Sequence, residues 1–205
     1  MSELKNQNVV WQKGKHTKIE REKSLGRKGC IIWFTGLPCS GKSTIARELE
    51  MVLVEAGYNA FVLDGDNIRH GLNRNLGFSP EDRHENIRRI GEVARLFFQA
   101  TVITITSFIS PYRKDRNWVR SFCKDGEFIE IFCDCPLEEC ESRDVKGMYA
   151  RARSGEILEY TGISAPYEPP LNPEIVLNTK KESIRESTDK ILNYLKEKKF
   201  ISDVS

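Results

Sequence analysis

The chain has 205 residues, 39% hydrophobic and 30% charged, with 32 Lys and Arg against 30 Asp and Glu. That length predicts one domain with a sizeable core, and the composition is that of a globular chain. A net charge of +2 is too balanced to suggest a nucleic-acid binder, and no apolar run approaches the ~20 residues of a membrane span.

Met1 is followed by polar and charged residues, so no secretory signal is expected. The six cysteines (Cys30, Cys39, Cys123, Cys133, Cys135, Cys140) form no C-x-x-C pair and no zinc spacing with histidine. Reduced thiols in the cytoplasm are the simplest expectation. Residues 1–28 carry eight basic and three acidic side chains. They read as a solvated lead-in or arm, with a short helix over Ile19 to Leu25. Val9-Val10-Trp11 is its one apolar spot and is expected to pack on the body.

The first strand is Cys30 to Thr35, apolar and partly β-branched. Next comes Gly36-Leu37-Pro38-Cys39-Ser40-Gly41-Lys42-Ser43, followed by Thr44. This is G-x-x-x-x-G-K-[ST], the phosphate-binding loop, or Walker A motif. From Thr44 to Ala56 apolar residues recur at helical spacing, and Gly57 closes the helix. Strand, glycine loop and helix are the context the motif requires. Gly36 and Gly41 let the backbone approach phosphate oxygens, and the helix start favours an anion. Lys42 is expected to reach the β- and γ-phosphates of a nucleotide, and the Ser43 hydroxyl to ligate Mg²⁺. Cys39, inside the loop, is either a reactive thiol or an inert buried one.

Ala60 to Leu63 is a second strand, ending at Asp64-Gly65-Asp66-Asn67. A helix starts at Ser79-Pro80-Glu81-Asp82, with a cap, an early proline and acidic residues, and runs on through Ile87, Ile90, Ala94 and Phe97. Val102 to Thr106 is a third strand. Ser110-Pro111-Tyr112 opens a helix reaching Phe122, Phe128 to Cys133 is a fourth strand, and Pro136 opens a short helix to Arg143. Residues from about 144 to 173 show little periodicity, too long for an ordinary connection, and read as a lid. Arg143, Lys146, Arg151 and Arg153 give it positive charge. Ile175 to Leu177 is a fifth strand and Ile184 to Leu195 the last helix.

Alternating strands and helices predict a three-layer α/β fold of the P-loop NTPase type, a five-stranded parallel sheet with helices on both faces. The expected boundaries are a P-loop domain over 29–200 and a tail over 201–205. A GTPase would need N-K-x-D, and the late strand instead ends in Asn178-Thr179-Lys180-Lys181. No apolar stretch ending in D-E serves a motor ATPase. Asp64 and Asp66 stand at the strand end where ligands bind in open parallel sheets. One can help hold Mg²⁺ and one can accept a proton from an attacking hydroxyl; the sequence does not say which. A turn-capping Asp-Gly accounts for one of the two. A small-molecule kinase is the reading that remains. A different acceptor, or a regulatory module without catalysis, is the alternative.

Longer stretches sharpen this. Asp64-Gly65-Asp66-Asn67-Ile68-Arg69-His70-Gly71-Leu72-Asn73, Leu76-Gly77-Phe78-Ser79-Pro80-Glu81-Asp82-Arg83 and Glu85-Asn86-Ile87-Arg88-Arg89-Ile90 resemble the adenylyl-sulfate kinase (APS kinase) family. So do Ser107 to Arg113, Arg143-Asp144-Val145-Lys146-Gly147 and Tyr160-Thr161-Gly162-Ile163. The resemblance implies transfer of the ATP γ-phosphate to the 3′-hydroxyl of adenylyl sulfate, in sulfate activation, with ATP and Mg²⁺ bound. It places Arg143 on the nucleotide side. Asp66, Asn67, Arg69, Arg83, Asn86, Ile109, Ser110, Lys146, Glu159 and Thr161 fall on the acceptor side, with Phe78 and Tyr160 as plates around its adenine. Arginines suit the anionic substrate because their fork meets oxygens bidentately. Ser110 matches a serine that becomes phosphorylated in some relatives, although direct in-line transfer is simpler. Pro38-Cys39 and His84 depart from the usual family residues. The resemblance also suggests a homodimer and raises functional coupling to ATP sulfurylase.

Overall fold

The computed structural model describes residues 9–10 and 12–202. Its strands are β1 (Cys30–Thr35), β2 (Ala60–Asp64), β3 (Ile103–Ser107), β4 (Phe128–Asp134) and β5 (Ile175–Asn178). They form one parallel sheet in the order β2-β3-β1-β4-β5. The helices are α1 (Lys18–Leu25), α2 (Lys42–Glu55), α3 (Gly65–His70), α4 (Pro80–Gln99), α5 (Arg113–Arg120), α6 (Leu137–Ser142), α7 (Met148–Arg153) and α8 (Ile184–Glu197).

Every residue of β1 and β3 is buried, as expected for strands covered on both faces. Side chains alternate between two cores. Cys30, Ile32 and Phe34 pack with Leu49 and Leu53 of α2 and Ile191 and Leu195 of α8. Ile31 and Trp33 pack on the other face with Ile87 and Ile90 of α4 and Val119 of α5. This is the three-layer arrangement that the alternation of elements implied.

Parallel strands run their carboxyl ends to one side. The register pairs Asp64 with Ser107 and Phe34 with Ser107. The last residue of β2 therefore stands beside the last of β3, next to the point where β1 enters the glycine loop.

Several boundaries differ from the sequence reading. Residues 144–173 contain α7, whose Tyr149 and Ala152 are buried; six residues are too few to show a helical period. The Asp64 turn is the start of α3. The Asp64 carboxylate caps it, accepting from the Asp66 amide at 3.0 Å. The fifth helix starts at Arg113 rather than Ser110, and Tyr112 stands at its cap position. The Ser110 hydroxyl accepts from Trp33 Nε1 and not from an amide of the fifth helix, so it does not cap that helix. Val9 and Val10 are exposed rather than packed on the body, and Trp11 lies outside the described residues. Ile201, expected to open a tail, is buried in the core with Phe200. The helix expected in the lead-in is present as α1, with a complete capping box at Thr17 and Glu20. Its Lys18 bonds Glu127 at 2.9 Å, which docks it on the body.

Helices α4 and α5 meet closely at Gly91. A β-carbon there would lie 2.7 Å from Val119 Cγ2 and 2.9 Å from Trp118 Cζ3. Gly91→Ala should lower stability by about 1–3 kcal/mol through overpacking, measured as the midpoint of urea unfolding. A variant as stable as the parent would contradict the contact.

Candidate active site

The loop from Gly36 to Gly41 leaves β1 and enters α2. Gly36 has φ +150, and a β-carbon there would meet the Cys133 carbonyl at 2.7 Å. Gly41 has φ +90. Both positions need glycine. Cys39 takes φ +59 without being one, a conformation uncommon for other residues. Ser40 is fully buried and its amide donates to the Leu37 carbonyl at 3.2 Å.

Lys42 turns back along the loop. Its ammonium donates to the carbonyls of Gly36 (3.1 Å) and Leu37 (2.6 Å) and to Ser40 Oγ (3.4 Å). Burial holds its pKa below the ordinary lysine value, because a charged amine is costly without counter-charge. An anion arriving in the loop supplies that counter-charge.

Two cavities open on either side of this loop. One, of ≈ 650 Å³, runs from Gly41 and Thr44 past Arg143 to Thr179 and Ile184. The other, of ≈ 370 Å³, runs from Pro38 past Asp64 and Asp66 to Phe78, Ser110 and Tyr160. Cys39, Lys42 and Ser43 line both.

Where they meet, Ser43 Oγ is 3.0 Å from Ser107 Oγ. Asp64 is buried, and its Oδ2 has no hydrogen-bond partner. Arg47 approaches that oxygen to 3.6 Å, within ion-pair range but too long for a hydrogen bond. A buried carboxylate oxygen without a donor, beside two hydroxyls, fits a divalent cation. Among the described residues no group of three or more His, Cys, Asp or Glu forms a protein-only metal cage. That suits Mg²⁺, which one or two carboxylates and substrate phosphates commonly hold.

The second cavity is lined by cations that the protein itself holds in place. Arg69 donates to the carbonyls of Leu76 (3.1 Å) and Gly77 (3.0 Å) and lies 4.3 Å over the Phe78 ring. Arg83 donates to the Phe78 carbonyl at 2.8 Å, to Thr161 Oγ1 at 2.9 Å and to the Glu159 carbonyl. It thereby fastens residues 159 and 161 to the start of α4. Burial lowers the pKa of both arginines. Lys146, just before α7, bonds Asp66 Oδ2 at 3.0 Å, and that bond raises its pKa. Tyr149 donates its hydroxyl to the Pro38 carbonyl at 2.9 Å and stacks edge-on against Tyr160, with ring centroids 5.0 Å apart. The 144–173 segment therefore sits on the glycine loop.

A family model described as adenylylsulphate kinase matches residues 28–178. The chain belongs to the adenylyl-sulfate kinase family. It is 56% identical to an adenylyl-sulfate kinase of Staphylococcus haemolyticus, over 95% of this chain and 98% of that one. The solved structure of the Mycobacterium tuberculosis APS kinase in complex with AMPPNP and APS is 46% identical, with a TM-score of 0.79, covering 83% of this chain and 99% of that one. A hexameric APS kinase from Thiobacillus denitrificans is 34% identical, with a TM-score of 0.65, covering 88% of this chain and 30% of that one.

The two cavities bring many of these positions together. Asp66, Arg69, Phe78, Arg83, Asn86, Ile109, Ser110, Lys146 and Tyr160 line the second cavity, and Thr44 and Arg143 the first. Arg143 is braced by Glu139 at 3.0 Å and the Thr179 carbonyl at 2.8 Å. Asn67 is exposed and lines neither cavity. Glu159 and Thr161 meet the cavity only through Arg83. Gly36, Leu37 and Ser40 shape the loop from within.

Ser107 and Asn73 belong to the site as well, although no motif singles them out. Ser107 could have been found as the hydroxyl at the carboxyl end of a parallel strand. Asn73 is fully buried and donates to Asn86 Oδ1 at 2.9 Å, which leaves the Asn86 amide NH₂ for the cavity. No sequence signal marks that pairing.

The reactive and inert alternatives for Cys39 separate here. Burial, with Asp144 adding to it, raises its thiol pKa. Only the thiolate reacts, so its fraction at neutral pH is depressed and grows as pH rises. Iodoacetamide should label Cys39 more slowly than a free cysteine peptide at pH 7.5, with the rate climbing above pH 9, as followed by mass spectrometry. Labelling as fast as the peptide would contradict this.

Proposed function

We propose that this kinase transfers the γ-phosphoryl group of ATP to the ribose 3′-hydroxyl of adenylyl sulfate, yielding 3′-phosphoadenylyl sulfate and ADP. The observation carrying this reading is the pair of cavities that share Lys42 and Ser43. One suits a donor nucleotide lying along the glycine loop. The other offers cations and aromatic faces to a second, anionic nucleotide.

The loop amides from Gly36 to Thr44 and the Lys42 ammonium bind and orient the phosphates, and Arg143 closes the donor side. Ser43 and Asp64 are the residues that would hold Mg²⁺. Bound Mg²⁺ supplies neutralisation of charge on the transferring group. Asp64 is the stronger candidate for the central carboxylate, because its Oδ2 is buried without a partner. Asp66 is exposed and occupied by Lys146, and a phosphosulfate competes with it for that ammonium. Arg69, Arg83, Asn86 and Lys146 hold the acceptor, and Phe78 and Tyr160 flank its adenine. Ile109 completes that side. Alignment of the attacking hydroxyl and exclusion of water by the lid supply most of the rate gain. Transfer is direct. Ser110 Oγ accepts from Trp33 Nε1 at 3.0 Å and is 2% exposed, which suits a wall better than a nucleophile.

The kinase domain starts at residue 29 and extends to the core residue Ile201, with 144–173 as its lid. Six free cysteines suit the reducing cytoplasm. Assembly from copies of this chain, as a homodimer or larger, belongs to the same reading, since the Thiobacillus denitrificans relative is hexameric. So does functional coupling to an ATP sulfurylase, the class of enzyme that makes adenylyl sulfate.

Incubation with Mg·ATP and adenylyl sulfate should give 3′-phosphoadenylyl sulfate, and AMP should not serve as acceptor. No such product, or equal use of AMP, would overturn the reading. Lys42→Ala should lower kcat by about 10²–10³-fold, as removal of a preorganised donor does. Asp64→Asn should lower it by at least ~10²-fold, with Asp66→Asn raising KM for adenylyl sulfate instead. The reverse pattern in steady-state kinetics would exchange the two roles.

A further inference from the structure

Arg116 is 1% exposed, and its guanidinium reaches three separate elements. Nε donates to Glu130 Oε1 on β4 at 2.6 Å. Nη1 donates to the Ser110 carbonyl at 2.6 Å, and Nη2 to the Glu168 carbonyl at 2.8 Å. Ser110 is in the wall of the acceptor cavity. Glu168 is near the end of the lid.

Those two segments are bonded to each other as well. The Glu168 amide donates to the Pro111 carbonyl at 2.9 Å, and the Arg113 amide to Glu168 Oε2 at 2.8 Å. Thr35 Oγ1 donates to the Ile109 carbonyl at 2.8 Å and lies 3.0 Å from the Tyr167 hydroxyl. Ser110 holds φ +41, a conformation that costs energy in a non-glycine residue and persists only when its surroundings fix it. The Arg116 bond to its carbonyl and the Trp33 bond to its hydroxyl provide that fixing.

We propose that Arg116 is a positioning residue for the acceptor: one buried guanidinium latches the Ser110 wall of the cavity to the foot of the lid. The wall and the lid's end then move as one body, while the lid's middle, held by Arg83 and Lys146, opens separately. Glu130 keeps the buried charge paired. It is itself shared with Arg120 at 3.2 Å, which also pairs with Glu174 at 2.6 Å. The donor cavity contains none of these residues, so the latch acts on one substrate only. The kinetic part of this proposal rests on the adenylyl-sulfate reading above.

Arg116→Lys keeps the charge beside Glu130 but loses the planar fork that spans three acceptors. It should raise KM for adenylyl sulfate by ~10-fold or more and leave KM for ATP within about twofold. A folded variant with unchanged KM for adenylyl sulfate, or with both KM values raised together, overturns the proposal. If the lysine variant does not fold, Arg116→Met with Glu130→Met removes both charges at once and is read the same way. Hydrogen exchange on the wild-type protein supplies an arm that needs no variant and no turnover. The amides of Arg113 and Glu168 should open with one shared free energy, higher than that of the lid between 149 and 158. Glu168 opening with the lid's middle, independently of Arg113, overturns the latch. A wild-type protein that makes no product defeats the kinase reading, and the exchange result still decides the latch.

Discussion

The site depends on the parallel register of three adjacent strands. Because β2, β3 and β1 run the same way, Asp64, Ser107 and the start of the glycine loop come to one edge of the sheet. No loop has to reach across to assemble them. Trp33 and its neighbours bury both faces of the central strand, so this edge inherits the rigidity of the core. A shift of one residue in the β2–β3 register would move Asp64 away from Ser107 and turn its side chain to the other face.

The second organising feature is the placement of arginines. Arg83 spends its donors on protein acceptors in the lid and in its own loop, and Arg116 spends its donors beneath the opposite wall. The cavity is thus braced on both sides by guanidinium groups that need no ligand to be ordered. Lys42 and Lys146 differ. Each is held by partners that an incoming anion can replace, Lys42 by loop carbonyls and Lys146 by Asp66. The site combines fixed cations that set its shape with releasable ones that meet charge.

Much of this was legible in the sequence. The glycine loop carries its own spacing, and the β-branched strands are too apolar to be anything but buried. The long stretches around Asp64, Phe78 and Ser110 pointed to the family. What stayed hidden was of another kind. Helices α3 and α7 have six residues each, shorter than two helical turns, so no hydrophobic period can announce them. The apolar Val9 and Val10 suggested packing, yet they are exposed. Asp64 and Asp66 look equivalent in sequence, and only burial distinguishes them. Arg116 looks like any charged residue on an amphipathic helix. Its importance comes from Glu130 and Glu168, which lie 14 and 52 residues away along the chain.

The most direct test of the two-cavity account is a structure with ADP and adenylyl sulfate bound together. The account places the ADP phosphates on Gly36 to Ser43, with its adenine toward Thr179 and Ile184. It places adenylyl sulfate in the other cavity, with its adenine between Phe78 and Tyr160 and its ribose hydroxyl facing Asp64. Adenylyl sulfate lying in the donor cavity, or its ribose hydroxyl turned away from Asp64, would contradict it.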